Sequence, residues 1–237
     1  MVITEKELNN LEELTNNKFN PHAYCIKLIS PNSSFSNIAD IIGNCGGTLG
    51  DTKVIENSKD QVKREIHFTS NTIQAREIIS KLHDLPGVHI NDVINEVYTA
   101  HIGGKIGVYL KTEVNNQKDL SIVYTPGVAE VCRTIQKQPE LAYNLTIKKN
   151  SVAVVTDGSA VLGLGNIGSL AGLPVMEGKA MLFKMLGDVD AYPICLSTQN
   201  ADEIVAAVKA IAPGFGGINL EDIAAPKCFE IEQRLQN

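Results

Sequence analysis

Four side chains in the second half of this 237-residue sequence are of the types that move protons or hold a hard cation. Tyr124 stands in Tyr124-Thr125-Pro126-Gly127-Val128, before an expected helix start with Thr125 as N-cap and Pro126 at the first helical position. A phenol there, near exposed amides and the positive end of a helix dipole, is placed either to donate a proton or simply to pack. Lys179 follows Gly178 in Glu177-Gly178-Lys179-Ala180, within a helix expected to open at Pro174 and close at Gly187. Glycine inside a helix costs roughly 1 kcal/mol against alanine, which suggests close approach of another group. The neighbouring lysine is then either partly buried, with a pKa lowered toward that of a useful base, or an ordinary surface lysine. Glu221 and Asp222 follow the short apolar stretch 216–220. They sit at the C-terminal end of an expected strand, where open α/β sheets place their sites. Two carboxylates suit Mg2+ or Mn2+ better than Zn2+, and the same pair also suits an N-cap for a helix opening near Pro226.

A fifth feature competes for attention. Gly163-Leu164-Gly165-Asn166-Ile167-Gly168 is a literal G-x-G-x-x-G. A dinucleotide fingerprint needs a strand leading directly into the first glycine. It also needs a helix starting inside the motif and an acid ending the next strand. Here Asp157-Gly158 breaks the apolar strand 152–156 before the motif arrives, and the next helix is expected only at Pro174. Asp188 and Asp190 precede the second strand rather than end it. The reading is a tight glycine turn, with no cofactor-binding residues in this chain.

The elements that would position these groups alternate. Strands are expected at 152–156, 192–196 and 216–220. Helices are expected after Pro126, after Pro174, from Asp202 to Ile211 and after Pro226. Such alternation argues a parallel sheet covered on both faces.

The first hundred residues differ. Thr4 and Glu7 fit a capping box for a helix within 1–20, and residues 21–98 read as a βαββαβ module. Tyr24, Ile26 and Leu28 share one strand face, and Ile66 and Phe68 alternate inward. Ala75, Ile78, Ile79 and Leu82 line a helix. A ferredoxin-like order, with a loop-to-helix start after the first strand and Gly46-Gly47 ending the first helix, resembles an ACT domain. The resemblance implies an amino-acid-like effector bound between two copies. Pro31-Asn32-Ser33 stands where that family often has glycine, so a module used only for dimerisation fits as well.

Composition narrows the classes. The net charge of −6 and the lack of a basic half argue against nucleic acid and anionic membranes. Five scattered cysteines without C-x-x-C suit reduced thiols in the cytoplasm. No N-terminal apolar segment suggests secretion.

The stretches LSIVYTPGVAEVC, VAVVTDGSAVLGLGNIG, PVMEGKAMLFK, VDAYPICLSTQNADEIV and APGFGGINLEDIAAPKCFEIE resemble, in order, the N-terminal catalytic domain of bacterial-type malic enzymes. The resemblance covers residues 99–237. It implies a three-layer α/β domain for the substrate and metal, following the ACT-like module. It implies oxidative decarboxylation of malate to pyruvate and CO2 with NAD+ or NADP+ and Mg2+ or Mn2+, in a homodimer. Lys179 is then the base for the C2 hydroxyl and touches substrate, as do Gly163 and Gly165. Tyr124 is the acid for the enolpyruvate carbon, and Glu221 and Asp222 are metal ligands. The family's third metal carboxylate and its dinucleotide domain would follow Asn237, so this chain alone is expected to be inactive. The other reading is a ligand-sensing or dimerisation module on a non-catalytic domain of the same fold.

Overall fold

The computed structural model describes residues 22–236; the expected helix within 1–20 lies outside them. The chain divides between Gly103 and Gly104 into two compact units.

The first unit is built on four antiparallel strands, β1 (His22–Pro31), β2 (Thr48–Asn57), β3 (Gln61–Ser70) and β4 (His89–Asn95), in the order β2-β3-β1-β4. Helices α1 (Phe35–Asn44) and α2 (Thr72–His83) join β1 to β2 and β3 to β4. Alternation along β1 and β3 sends Tyr24, Ile26, Leu28, Ile66 and Phe68 into one core with Ile38 and Ile42 of α1 and Ala75, Ile78 and Leu82 of α2. Asn71 caps α2 reciprocally with Gln74, so two otherwise unpaired amides are satisfied. A short helix, α3 (Glu96–His101), follows β4 and packs on β1. Edge strand β2 is exposed along its whole length.

The second unit carries a parallel three-stranded sheet, β5 (Ser151–Thr156), β6 (Asp190–Cys195) and β7 (Gly217–Leu220), with β5 central. Short helices precede it: α4 (Gln117–Val123), α5 (Val128–Lys137) and α6 (Ala142–Leu145). α7 (Ser169–Gly187) joins β5 to β6, α8 (Ala201–Ile211) joins β6 to β7, and α9 (Lys227–Leu235) follows β7. Successive residues of β5 face opposite layers. Val154 packs with Met176 and Ala180 of α7. Ala153 and Val155 pack with Ile204, Val205 and Val208 of α8 and Ile231 of α9. The unbroken apolar run 152–155 within β5 follows from burial on both faces.

Three local expectations are corrected. α5 begins at Val128, not at Pro126, and the Thr125–Pro126 peptide is cis. The chain turns back tightly here: the Gly127 amide donates to the Ser121 carbonyl at 2.9 Å. A Cβ on Gly127 would lie 2.3 Å from the Ile122 oxygen. α7 begins at Ser169 rather than Pro174. Pro174 lies inside this helix, where it lacks the N–H that would have joined the helical ladder. Gly178 meets no close approach, since the nearest atom to a Cβ there is Lys105 Nζ at 3.9 Å. No helix among the described residues is long and apolar enough to cross a membrane.

Candidate active site

Parallel strands bring their C-terminal ends to one edge of a sheet. Glu221 and Asp222 leave β7 at that edge, and the Glu221 amide donates to the Val155 carbonyl at 2.9 Å. Lys179, in the middle of α7, places Nζ 3.1 Å from Glu221 Oε1, with the two side chains 35% and 21% exposed. Sequence positions forty-two residues apart thus meet through the packing of α7 and β7 against β5.

Asp222 is the more constrained carboxylate. Its backbone is left-handed, at φ 54°, and its Oδ2 is buried without a hydrogen-bond partner. Burial, with Glu221 beside it, raises its pKa; a hydrogen bond from the Leu162 backbone and the charge of Lys179 pull the other way. The pair is not the N-cap of α9, where Pro226 takes that position.

The loop that carries the glycine motif meets Asp222 through Ala160 and Leu162, just before the motif. The loop leaves β5 at Thr156 and folds into a small hairpin, with the Val161 amide donating to the Gly165 carbonyl at 2.9 Å. Leu162 and Gly165 take positive φ. The Ala160 amide donates to the Asp222 carbonyl at 3.1 Å. Gly158 and Gly168 close the base of the loop: the amides of Ile167 and Gly168 donate to the Gly158 carbonyl at 3.2 and 3.1 Å. α7 starts directly after Gly168, its N-cap, so the helix begins at the end of the motif and not at Pro174 as expected. Two features still separate it from a dinucleotide loop. Gly163 comes seven residues after β5 ends, and Asp190 opens β6 rather than ending it. Asp190 is occupied by Lys111 at 3.0 Å and Lys184 at 3.1 Å.

Tyr124 lies at the end of α4 and is 64% exposed. Among the described residues no hydrogen bond joins its hydroxyl to Lys179, Glu221 or Asp222. Gly163 has open space where a Cβ would stand. An apolar groove lined by Ile106, Tyr109, Leu110, Met181 and Met185 includes none of Tyr124, Lys179, Glu221 and Asp222.

Sequence reasoning passed over Asp157. Its side chain is fully buried and pairs with Lys227 Nζ. It also accepts the Ser159 amide at 3.0 Å and the Ser159 hydroxyl at 2.6 Å. Lys227 continues to the Gln199 carbonyl at 2.9 Å. Gln199 pairs reciprocally with Asn166 of the glycine turn at 3.0 and 2.9 Å. The strand-end rule that selects Glu221 and Asp222 selects Asp157 equally, yet Asp157-Gly158 reads in sequence as a mere strand breaker.

Comparison with known proteins agrees with this architecture. The family model "Malic enzyme, N-terminal domain" matches residues 103–201 and 197–236. An NAD-dependent malic enzyme of Geobacillus stearothermophilus is 55% identical over 204 residues, covering 86% of this chain and 43% of that protein. A match of that length extends beyond the second unit into the first. A bifunctional malic/malolactic enzyme of Bacillus subtilis is 60% identical over 133 residues, covering 56% of this chain and 32% of that protein. The crystal structure of the NAD-dependent malic enzyme of Thermotoga maritima superposes with a TM-score of 0.57 at 56% identity, covering 59% of this chain and 39% of the other. The chain spans less than half the length of these relatives. With the parallel sheet, the lysine–carboxylate meeting at its C-terminal edge and a family match over more than half of its residues, the chain belongs to the malic enzyme N-terminal domain family.

Proposed function

We propose that this chain is the substrate- and metal-binding part of a malic enzyme, which oxidatively decarboxylates malate to pyruvate and CO2 with NAD+ or NADP+. The observation that carries the reading is the meeting of Lys179 with Glu221 beside the buried, unpartnered Oδ2 of Asp222. Two hard carboxylates, one with an unsatisfied buried oxygen, fit a divalent cation. Glu221 and Asp222 would hold Mg2+ or Mn2+, which would supply Lewis-acid polarisation of the substrate C2 oxygen. Lys179 takes the proton of the C2 hydroxyl during oxidation. Tyr124 returns a proton to the carbon from which CO2 has left; opposite proton movements require two groups. Gly163 and Gly165 let substrate approach the turn. The glycine turn does not fit a dinucleotide, and none of these roles depends on one bound there.

Residues 21–98 serve as an ACT-like regulatory module and residues 99–237 as the malate- and metal-binding domain. Arg64 supports an anionic, amino-acid-like effector. It is 8% exposed, donates to Ser30 at 2.6 Å and lies over Phe35. No carboxylate pairs with it among the described residues. Exposed Val54 and Ile55 on edge strand β2, and Val108, Tyr109 and Leu110, support a homodimer. The five free cysteines support a cytoplasmic setting.

Thermal-shift measurement with Mn2+ and malate tests the reading. Mn2+ should stabilise the chain, malate should add to that only when Mn2+ is present, and Glu221→Gln should abolish both effects. Absence of any response to Mn2+, alone or with malate, sinks it.

A further inference from the structure

The first unit carries a second cluster of metal-ligating side chains, far in sequence from those above. Even-numbered residues of β1 and β3 fill the core, so the odd-numbered ones share the outer sheet face. Register sets Cys25 opposite His67 and Lys27 opposite Glu65. The donor atoms of Cys25, Glu65 and His67 all lie within 4.8 Å of one another. His67 Nε2 is 3.3 Å from Glu65 Oε1. On the other side of the ring, His67 Nδ1 is 2.9 Å from Glu96 Oε1 at the start of α3. Lys27 Nζ stands 3.8 Å from the other oxygen of Glu65.

We infer that Cys25, Glu65 and His67 form a binding site for a zinc-like transition metal, with Glu96 orienting the histidine. Three features carry this. The donor set is one sulfur, one imidazole nitrogen and one carboxylate, which suits Zn2+ or Co2+ and not Mg2+ or Ca2+. The Glu96–His67–Glu65 arrangement matches the way metal-bound imidazoles are fixed. A carboxylate accepts Nδ1–H and leaves the Nε2 lone pair aimed at the ligand cluster. The site is also half enclosed: Cys25 is 3% exposed, while the His67 and Glu65 side chains are 32% and 24% exposed. A metal therefore reaches the thiol from the solvent side of the sheet. A tetrahedral centre with bonds of about 2.0–2.3 Å holds its donors roughly 3.3–3.8 Å apart. The Glu65–His67 pair already has that spacing, and the remaining donors need close by only about an ångström through side-chain rotation. Binding releases the thiol proton to solvent and forms a metal–sulfur bond, with no change of oxidation state. The fourth position is left to water.

Cobalt tests the assignment. Co2+ titrated into the full 237-residue chain should give one equivalent of a near-ultraviolet thiolate-to-cobalt charge-transfer band, bleached by one equivalent of Zn2+. Cys25→Ser and His67→Gln should lose the band. Glu65→Gln, a change at a part-exposed side chain outside the core, should weaken cobalt binding at least tenfold. Cobalt held by Glu221 and Asp222 has only oxygen donors and gives no such band, so the two sites are read apart. No charge-transfer band in the unmodified chain, or a band that survives Cys25→Ser, overturns the assignment. The second outcome places the metal on another cysteine.

Discussion

Lys179 Nζ rests 3.1 Å from Glu221 Oε1, joining the middle of α7 to the end of β7. In the proposed reaction this lysine acts on the substrate hydroxyl and this glutamate holds the cation, so without substrate the two charges satisfy each other. A cation arriving at Glu221 must compete with the ammonium. Lys179→Met should therefore bind Mn2+ more tightly by calorimetry. Both side chains are part-exposed, so the gain is that of a screened pair, roughly 0.5–1 kcal/mol or about two- to fivefold. The same variant should lose the malate response. Weaker Mn2+ binding in Lys179→Met would mean that the lysine organises the carboxylates instead of competing for them.

The raised pKa of Asp222 makes a pH-dependent prediction. Its ordinary value is 3.8, and burial and the neighbouring Glu221 move it upward. A carboxyl that holds its proton more tightly when folded adds stability below its ordinary value, and loses that contribution as pH rises through the shifted one. At neutral pH without divalent cation, the ionised Asp222 therefore opposes folding. Asp222→Asn keeps the shape, tolerates the left-handed backbone and removes the charge. It should melt above the unmodified chain at pH 7, and the gap should close as pH falls below 3.8. Added Mn2+ should reverse the order at pH 7 by stabilising only the chain with Asp222. A lower melting point for Asp222→Asn in cation-free buffer would contradict this account.

Periodicity made the sheet of the second unit legible. The apolar run around Val154 belongs to a central strand buried on both faces, and those around Ile194 and Ile218 to its partly buried neighbours; burial on two faces shows in sequence as an unbroken run. The first core was readable from period two: Tyr24, Ile26 and Leu28 fall on one strand face and are buried together. Helix starts were less legible. Pro174 looked like an opening residue, but packing of Gly168 against Gly158 fixes the true start at Ser169. That contact joins residues on either side of a folded loop, and local propensity carries no trace of it. Among the site residues, the strand-end carboxylates could be found from position. The Lys179–Glu221 and Asp157–Lys227 pairings depend on how α7 and α9 dock on the sheet, and no spacing rule encodes docking.

Asp157 and Lys227 form the polar anchor of the strand-end edge, and their energetics should be lopsided. The Asp157 side chain is fully buried and that of Lys227 is 22% exposed. Removing the lysine leaves a buried carboxylate with only the two Ser159 donors. Lys227→Met should cost roughly 3 kcal/mol in urea unfolding, the low end for breaking a buried pair because the lysine keeps some water. Asp157→Asn combined with Lys227→Met should recover most of the loss, since no unpaired charge then remains. A double variant as unstable as the single one would show that the lysine's packing and its bond to Gln199 matter more than its charge.

The glycines of the turn should separate according to what each one faces. A Cβ on Gly158, which has φ +67°, would lie 2.1 Å from the Gly168 carbonyl carbon and 2.3 Å from the Ser169 nitrogen. These backbone atoms can yield only if the start of α7 moves. Gly158→Ala should cost about 2–4 kcal/mol, from left-handed strain of roughly 1–2 kcal/mol plus overpacking. Gly165 also has positive φ but open space, so Gly165→Ala should cost only the strain. Gly163 has open space and no left-handed backbone, so Gly163→Ala should change stability by no more than about 0.5 kcal/mol. That last variant is the informative one. Because the fold makes no demand for glycine at 163, a stable Gly163→Ala protein with a diminished malate response isolates close substrate approach as the reason for a glycine there. An undiminished response removes Gly163 from the malate pocket and leaves the turn as a brace for Asp222.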